Sequence, residues 1–160
     1  MSSLQWSLCA FDELDTRSLY DILRLRCQVF IVEQQCPYPD IDDLDTTVGS
    51  RHATARAGYK ICAYGRSLPP ESSADAKNHT RSTARIGRIV VDPDYRRQGV
   101  GDRLLSILLA DLASRFPEHD AVLDAQLAAM SLYSRAGFVR ASEEFLEDGI
   151  AHVTMRRSLR

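Results

Sequence analysis

The spacing of hydrophobic and polar residues changes twice in the first third of the chain. Residues 4–11 (LQWSLCAF) show the mixed alternation of a strand. From Thr16 to Phe30, hydrophobic residues recur at every third or fourth position, which predicts a helix. Pro37 and Pro39 then open a polar loop. The chain is therefore predicted to begin with a strand, a helix and a loop.

The middle of the chain carries three strand patterns. Residues 51–57 and 60–68, joined around Gly58, predict a hairpin, and residues 84–91 predict the next strand. Residues 69–83 are rich in small and polar side chains without periodicity, so we expect a mobile surface loop there.

Helices and strands alternate in the last third. Leucines at helical spacing follow Val100 up to Pro117, and a short apolar run at residues 121–126 predicts a buried strand. A short helix at residues 127–137 is expected to stop at its last residue, a glycine. The Asp148-Gly149 turn signal divides the rest into two antiparallel strands.

Composition fits one α+β domain spanning residues 1–160. The chain has 160 residues, of which 44% are hydrophobic, enough for a substantial core. A formal net charge of −2 lacks the excess of basic residues that is typical of nucleic-acid-binding proteins. No apolar run approaches the roughly 20 residues that cross a bilayer. The N-terminal residues lack the pattern of a signal peptide. We therefore expect a cytoplasmic protein that binds neither nucleic acid nor a membrane.

Cysteines and histidines give no sign of a metal site. Cys9, Cys27, Cys36 and Cys62 form no C-x-x-C pair, and the four histidines are scattered. We expect free thiols and no metal.

Charges are less evenly placed than the total suggests. Four aspartates crowd into residues 40–45, and five arginines lie between Arg81 and Arg97. Both runs are interpreted first as solvated surface, an acidic loop and a basic edge. An acidic rim also favours the approach of a cationic substrate.

A glycine-rich seam joins the strand at residues 84–91 to the following helix. It contains Arg96, Arg97, Gly99 and Gly101. The first amides of a helix have no internal acceptor and lie at its positive end. Glycine lets a ligand approach the backbone closely, and arginine adds charge-assisted contacts to phosphate oxygens. The seam therefore predicts a phosphate-binding site.

Two familiar phosphate motifs do not fit this seam. A P-loop requires Lys-Ser or Lys-Thr after the second glycine, and neither follows Gly101. A dinucleotide fingerprint requires a third glycine where Leu104 stands. A domain that binds ATP or NAD is thus a disfavoured alternative.

The seam resembles the acyl-CoA-binding signature R/Q-x-x-G-x-G/A of the GNAT N-acetyltransferase superfamily. Arg96, Gly99 and Gly101 match the signature, and the order of predicted elements agrees with that fold along nearly the whole chain. Three further segments are similar to ElaA-like bacterial acetyltransferases: residues 25–45, 131–138 and 145–155. The resemblance implies a mixed, mostly antiparallel sheet flanked by helices, in an α/β three-layer arrangement. It also implies acetyl-CoA as cosubstrate and direct attack by a primary amine of a small molecule or peptide.

The resemblance also implies which residues hold the cosubstrate. Ile89, Val90 and Val91 would hold the pantetheine arm and point an amide at the thioester carbonyl. Gln126 stands where many members place an asparagine. The pyrophosphate would lie on the seam after Arg96, against the backbone of Arg97, Gln98, Gly99, Val100, Gly101 and Asp102. Asp102 departs from expectation, because a carboxylate beside a diphosphate is unfavourable.

For catalysis, the resemblance places a general acid at Tyr133, which would protonate the CoA thiolate. On periodicity alone, Tyr133 fits equally well as a core aromatic beside Phe138. Glu33 and His152 are candidates for the general base, and Glu144 and Asp124 also remain open.

Two further questions stay open at this stage. A CoA-binding regulatory or sensor module without turnover is the alternative function. Many related domains pair, so a homodimer is a further expectation, but the sequence shows no interface.

Overall fold

The computed structural model describes residues 3–70 and 82–160. The predicted surface loop at residues 69–83 therefore lies largely outside the described residues. The strands are β1 (Gln5–Cys9), β2 (Arg51–Ala57), β3 (Lys60–Leu68), β4 (Thr83–Val91), β5 (Asp120–Gln126), β6 (Val139–Arg140), β7 (Phe145–Glu147) and β8 (Ile150–Ser158). The α-helices are α1 (Thr16–Arg26), α2 (Val100–Arg115) and α3 (Met130–Arg135).

All strands belong to one eight-stranded sheet in the order β1-β2-β3-β4-β5-β8-β6, with β7 also paired to β8. The β4–β5 pair is parallel, and the other pairs are antiparallel. The predicted α+β fold, a mixed and mostly antiparallel sheet flanked by helices, is confirmed.

Two apolar clusters place helices on opposite faces of the sheet. The leucine stripe of α2 is fully buried in the larger cluster, together with Ala84 and Ile86 of β4. Ile22 and Leu25 of α1 pack in the smaller cluster with Tyr64 and Val90. Val90 thus faces the smaller cluster, whereas its neighbours Ile89 and Val91 pack against the larger one, as the period of a strand requires.

The first helix begins at Thr16, as predicted, and Asp15 is its cap. The Asp15 carboxylate accepts a hydrogen bond from the Ser18 amide at 2.8 Å. Beyond Arg26 the helix widens into a π-helical segment, Cys27–Glu33, a form that often marks functional sites. The periodicity predicted the helix but not this widening, after which Glu33 and Gln34 line the cavity described below.

The C-terminal region contains three strands where the sequence predicted two. The chain before the Asp148-Gly149 turn divides into β6 and β7. At the break, the Ser142 hydroxyl accepts a hydrogen bond from the Thr154 amide at 2.9 Å, in place of a backbone carbonyl. A side-chain hydrogen bond that replaces a backbone hydrogen bond of the sheet interrupts the strand. The alternating pattern of the sequence does not reveal this interruption.

Candidate active site

Strands β4 and β5 form a wedge. In the part of the chain that the structure describes, their pairing is limited to Thr83–Arg85 against Asp120–Val122. Beyond Arg85 the strands separate, and a cavity of about 640 Å³ opens between them, within the usual range for small-molecule sites. We call it the wedge cavity.

The wedge cavity brings together residues that lie far apart in sequence. Eight of the predicted site residues line it: Glu33, Ile89, Val90, Val91, Arg96, Gln126, Tyr133 and His152. The remaining predicted residues, 97–102, form the turn and first helical residues at the start of α2.

The start of α2 has the geometry expected of an anion site. Gly99 caps the helix with φ of +75°, a conformation that disfavours other residues. The Arg103 amide donates to the Gly99 carbonyl at 3.0 Å, so the three amides before it, at residues 100–102, precede the first intrahelical bond. The seam therefore presents amides, as the sequence predicted, at the positive end of a 16-residue helix.

The Asp102 carboxylate is held by an arginine from α3. Arg135 Nε donates to it at 3.0 Å and Nη2 lies 2.9 Å away. The ion pair offsets the negative charge that made Asp102 a departure from the resemblance. Asp102 therefore differs from the family pattern only in its side chain, and the backbone amides at the start of α2 are not affected.

Arg96 and Glu33 both line the cavity and form an ion pair, which argues against Glu33 as the base. Arg96 donates from its two terminal nitrogens to Glu33 at 2.7 and 2.8 Å, and from Nε to the Val91 carbonyl at 2.9 Å. The hydrogen bonds from Arg96 lower the pKa of Glu33, which makes its carboxylate a weaker proton acceptor. The same pairing directs the Arg96 guanidinium to the end of the π-helical segment.

Tyr133 is both a packed aromatic and a cavity residue. Its side chain is buried in α3, with its ring edge-on to Phe138 at a centroid distance of 6.3 Å. Burial raises the pKa of Tyr133 to about 12, so the phenol stays protonated at neutral pH. Tyr133 is thus the core aromatic that the periodicity allowed, and it also lines the wedge cavity.

His152 lies opposite Gln126 in the β5–β8 register. Its Nδ1 lies 2.8 Å from the Ile150 carbonyl and must donate there, which leaves the lone pair of the neutral ring on Nε2. Nε2 lies 3.8 Å from the Glu147 carboxylate, and the ring stacks on Phe145. The imidazole therefore keeps an acceptor nitrogen available.

Gln126 exchanges two hydrogen bonds with Gln34, at 3.2 and 3.3 Å. Gln34 is a cavity residue that the sequence reasoning missed. It stands in the segment similar to ElaA-like proteins, but no local pattern shows a partner 92 residues away.

The other two base candidates have different environments. Asp124 accepts hydrogen bonds from Arg85 at 2.5 Å and from the Thr154 hydroxyl at 2.7 Å. Glu144 is exposed, near Arg140, and does not line the wedge cavity. Of the four candidates, His152 alone combines a place in the cavity with an acceptor atom free of a close partner.

The prediction that the acidic loop at residues 40–45 is solvated surface is wrong. Three of its aspartates form an ion cluster with three arginines from other elements; three of the six residues are buried and the other three are partly buried. The members of this ion cluster are Arg26, Asp40, Asp42, Asp45, Arg66 and Arg88. Although burial opposes ionisation, hydrogen bonds and charge from Arg66, with the charge of Arg88, lower the pKa of Asp42 to about 2. These aspartates are matched by cations within the protein, so they do not form a free rim for a cationic substrate.

The arginine run is likewise paired, so the predicted basic edge is wrong for three of its members. Arg85 pairs with Asp124, Arg88 joins the ion cluster, and Arg96 pairs with Glu33.

The four cysteines are free thiols, two of them buried. Among the described residues, no group of three or more potential ligands is placed to hold a metal, and no helix is long and apolar enough to cross a membrane.

Comparison with known proteins decides the family. The model of the acetyltransferase (GNAT) domain matches residues 41–159. The chain belongs to the GNAT acetyltransferase family. Within it, a UPF0039 protein of Schizosaccharomyces pombe is 41% identical over 99% of this chain and all of its own length. Protein ElaA of Escherichia coli is 34% identical, with 98% of this chain and 97% of ElaA covered.

Solved structures agree with this assignment. The crystal structure of E. coli ElaA superposes with a TM-score of 0.87 and 35% identity, covering 98% of this chain and all of that one. An acyl-CoA N-acyltransferase from Pseudomonas aeruginosa gives 0.86 and 35% over the same shares. The chain is thus an ElaA-like GNAT enzyme, an acyltransferase of the class that takes its acyl group from acyl-CoA.

Proposed function

We propose that this GNAT enzyme transfers acetyl from acetyl-CoA to a primary amine of a small molecule or peptide, with residues 1–160 acting as one domain. The observation that carries the proposal is the unpaired wedge between β4 and β5. This wedge is lined by Tyr133 and His152 and borders the seam that leads to the free amides of α2.

The proposed cosubstrate site has two parts. The amides at residues 97–102 receive the diphosphate, which suits the positive end of α2. The edge of β4 at Ile89–Val91, which β5 leaves unpaired, takes the pantetheine arm. Attack on a thioester places negative charge on its carbonyl oxygen, and one preorganised backbone donor stabilises that charge by roughly 3 kcal/mol.

The proposed reaction needs one base and one acid. The acceptor ammonium gives a proton to His152 Nε2, directly or through water, and the free amine attacks the thioester carbon. A C–N bond forms, the C–S bond breaks, and Tyr133 protonates the departing thiolate. The attacking nitrogen gives its second proton to water, and the Tyr133 phenolate is reprotonated from water. His152 is chosen over Glu33 because Glu33 is already paired with Arg96.

A melting-temperature titration tests the cosubstrate first. The purified protein is mixed with acetyl-CoA, CoA, NAD or ATP. A ligand at 100 times its Kd stabilises the native state by about 2.7 kcal/mol, which shifts Tm by roughly 5 °C or more in a domain of this size. A shift with acetyl-CoA is expected, and a shift with NAD or ATP alone would refute the proposal.

Turnover is then measured as CoA thiol release with a panel of primary amines. Thiol release that depends on the amine supports the transferase. Tight acetyl-CoA binding without release on any amine favours the regulatory or sensor module instead.

A further inference from the structure

The edge of β4 that lines the wedge cavity contains a β-bulge. In the β3–β4 register, Arg66 pairs with Gly87 and Tyr64 with Val90. Two residues of β4, Arg88 and Ile89, therefore face Gly65 alone. Arg88 has φ of +56°, an uncommon backbone conformation for a residue with a long side chain. Something outside the local sequence must hold this residue in place.

The Arg88 side chain is held by the ion cluster. Its Nε lies 2.9 Å from the Asp40 carboxylate, and its Nη2 donates to the Asp40 carbonyl at 3.1 Å and to Asp42 at 2.9 Å. The Arg88 guanidinium also lies over the Tyr38 ring, 5.7 Å from its centroid. Arg88 is therefore fixed from several directions.

The two acceptors of Arg88 are themselves held by buried arginines. Arg26, only 1% exposed, donates to the Asp40 carboxylate at 2.8 Å and to its carbonyl at 2.7 Å. Arg66, 3% exposed, donates to both oxygens of Asp42 at 2.7 and 2.8 Å. Three cations match three anions, so the ion cluster is electrically closed and better suited to holding structure than to binding a ligand.

The opposite strand leaves room for the bulge. A Cβ added at Gly65 would lie 2.6 Å from Ile89 Cδ1 and 2.9 Å from Leu108 Cδ1. Ile89 thus occupies the space that Gly65 leaves free. Packing between Ile89 and Gly65 holds the bulge on one side, and the ion cluster holds Arg88 on the other. The bulge lies at the start of Ile89–Val91, the residues proposed to face the thioester.

We propose that Arg88 is a positioning residue, whose ion pairs fix the β4 bulge and so set the backbone of Ile89–Val91 against the acyl thioester. The catalytic half of this inference rests on the proposed function, and the structural half does not. A misplacement of about 1 Å at a catalytic group can cost 10²-fold in rate. The clamp should therefore affect kcat more than cosubstrate affinity.

The experiment compares Arg88→Met and Arg88→Gly with the wild type. Glycine adopts positive φ without strain but removes the ion pairs, so it separates the backbone from the side chain. Arg156→Met is the matched control, because Arg156 also lies on a strand and pairs with an aspartate, Asp120, at 2.7 Å, but does not line the wedge cavity. Kinetics and amide hydrogen exchange over residues 86–91 are measured for each protein.

In both Arg88 variants we expect kcat to fall by about 10²-fold, the KM for acetyl-CoA to change less than about threefold, and exchange over residues 86–91 to accelerate. The control should match the wild type. Wild-type kcat and exchange in Arg88→Gly would overturn the inference, because the backbone would then suffice without the side chain.

Two safeguards keep the test decisive. If Arg88→Met and Arg88→Gly do not fold, Arg88→Lys retains the charge of the ion cluster but has one nitrogen to replace three contacts. It should fold and still show faster exchange at residues 86–91; unchanged exchange refutes the clamp. If the wild type binds acetyl-CoA without turnover, the proposed function fails, and hydrogen exchange alone still decides the clamp.

Discussion

Tyr133 combines a packed position with the general-acid role that we propose for it. Its burial in α3 keeps the phenol neutral, and its place in the wedge cavity is what the proposed role requires. Removing only the hydroxyl preserves the ring packing against Phe138. We expect Tyr133→Phe to lower kcat by 10² to 10⁴-fold, the usual contribution of general acid catalysis, with little change in the KM for acetyl-CoA.

The exposed Tyr20 supplies the control, since Tyr20→Phe should leave kcat unchanged. The pH profile gives a second check. Because the pKa of Tyr133 is raised to about 12, its protonated form persists, and no loss of wild-type rate below about pH 10 should come from this residue. A Tyr133→Phe enzyme with wild-type kcat would reduce Tyr133 to a packing residue.

His152 gives a separate prediction. We expect His152→Gln to lower kcat by 10² to 10⁴-fold at pH 7, because the attacking ammonium loses its proton acceptor. An alkylamine with a pKa near 10 deprotonates itself at high pH, so the variant should recover part of its rate between pH 8 and pH 10. Kinetics across this range check the prediction; a rate deficit that stays constant with pH contradicts a base role.

At the scale of elements, the start of α2 depends on the left-handed backbone of Gly99. Alanine at φ of +75° is strained by about 1 kcal/mol, and relief of that strain would move the amides that follow. We expect Gly99→Ala to raise the KM for acetyl-CoA. The matched control is Gly58→Ala in the β2–β3 turn, where φ is +59° and a Cβ meets nothing within 4 Å. Both variants should lose similar stability in urea titrations, and an equal rise in KM for both would refute the assignment.

Helices and strands were predictable from the sequence where the local spacing of hydrophobic residues determines them. The bounds of β2 and β3 agree with the alternation, and α2 begins at Val100, as predicted from its leucine spacing and the glycine before it. No pattern of residues along the chain indicates the wedge between β4 and β5 or the bulge at Arg88. They arise from contacts between strands and from an ion cluster assembled from distant segments, neither of which leaves a local period. The proposed cosubstrate residues rest on the resemblance, whereas Gln34 was identified as a cavity residue only in the structure.

Across the whole molecule, the ion cluster joins α1, the loop after it, β3 and β4. Arg26 and Asp45 are 19 residues apart, and Arg88 and Asp42 are 46 apart. A sequence with a net charge of −2 gives no hint of this matching, because charge runs are usually solvated. Removing one partner from such a cluster leaves an uncompensated charge, which is more costly than losing an exposed pair.

The ion cluster makes stability depend on acid pH. The pKa of Asp42 is lowered from 3.8 to about 2 in the folded protein, so the unfolded chain binds more protons as the pH falls. Asp42 therefore contributes roughly 2 kcal/mol above about pH 5, and this contribution is lost as the pH falls to about 2. Urea unfolding at a series of pH values should show Asp42→Asn at least that much less stable than the wild type at pH 7, with the difference closing towards pH 2. Asp12→Asn, at an exposed aspartate, should follow the wild type throughout. A deficit in Asp42→Asn that is constant from pH 7 to pH 2 would show that its cause is lost packing rather than the charge of Asp42.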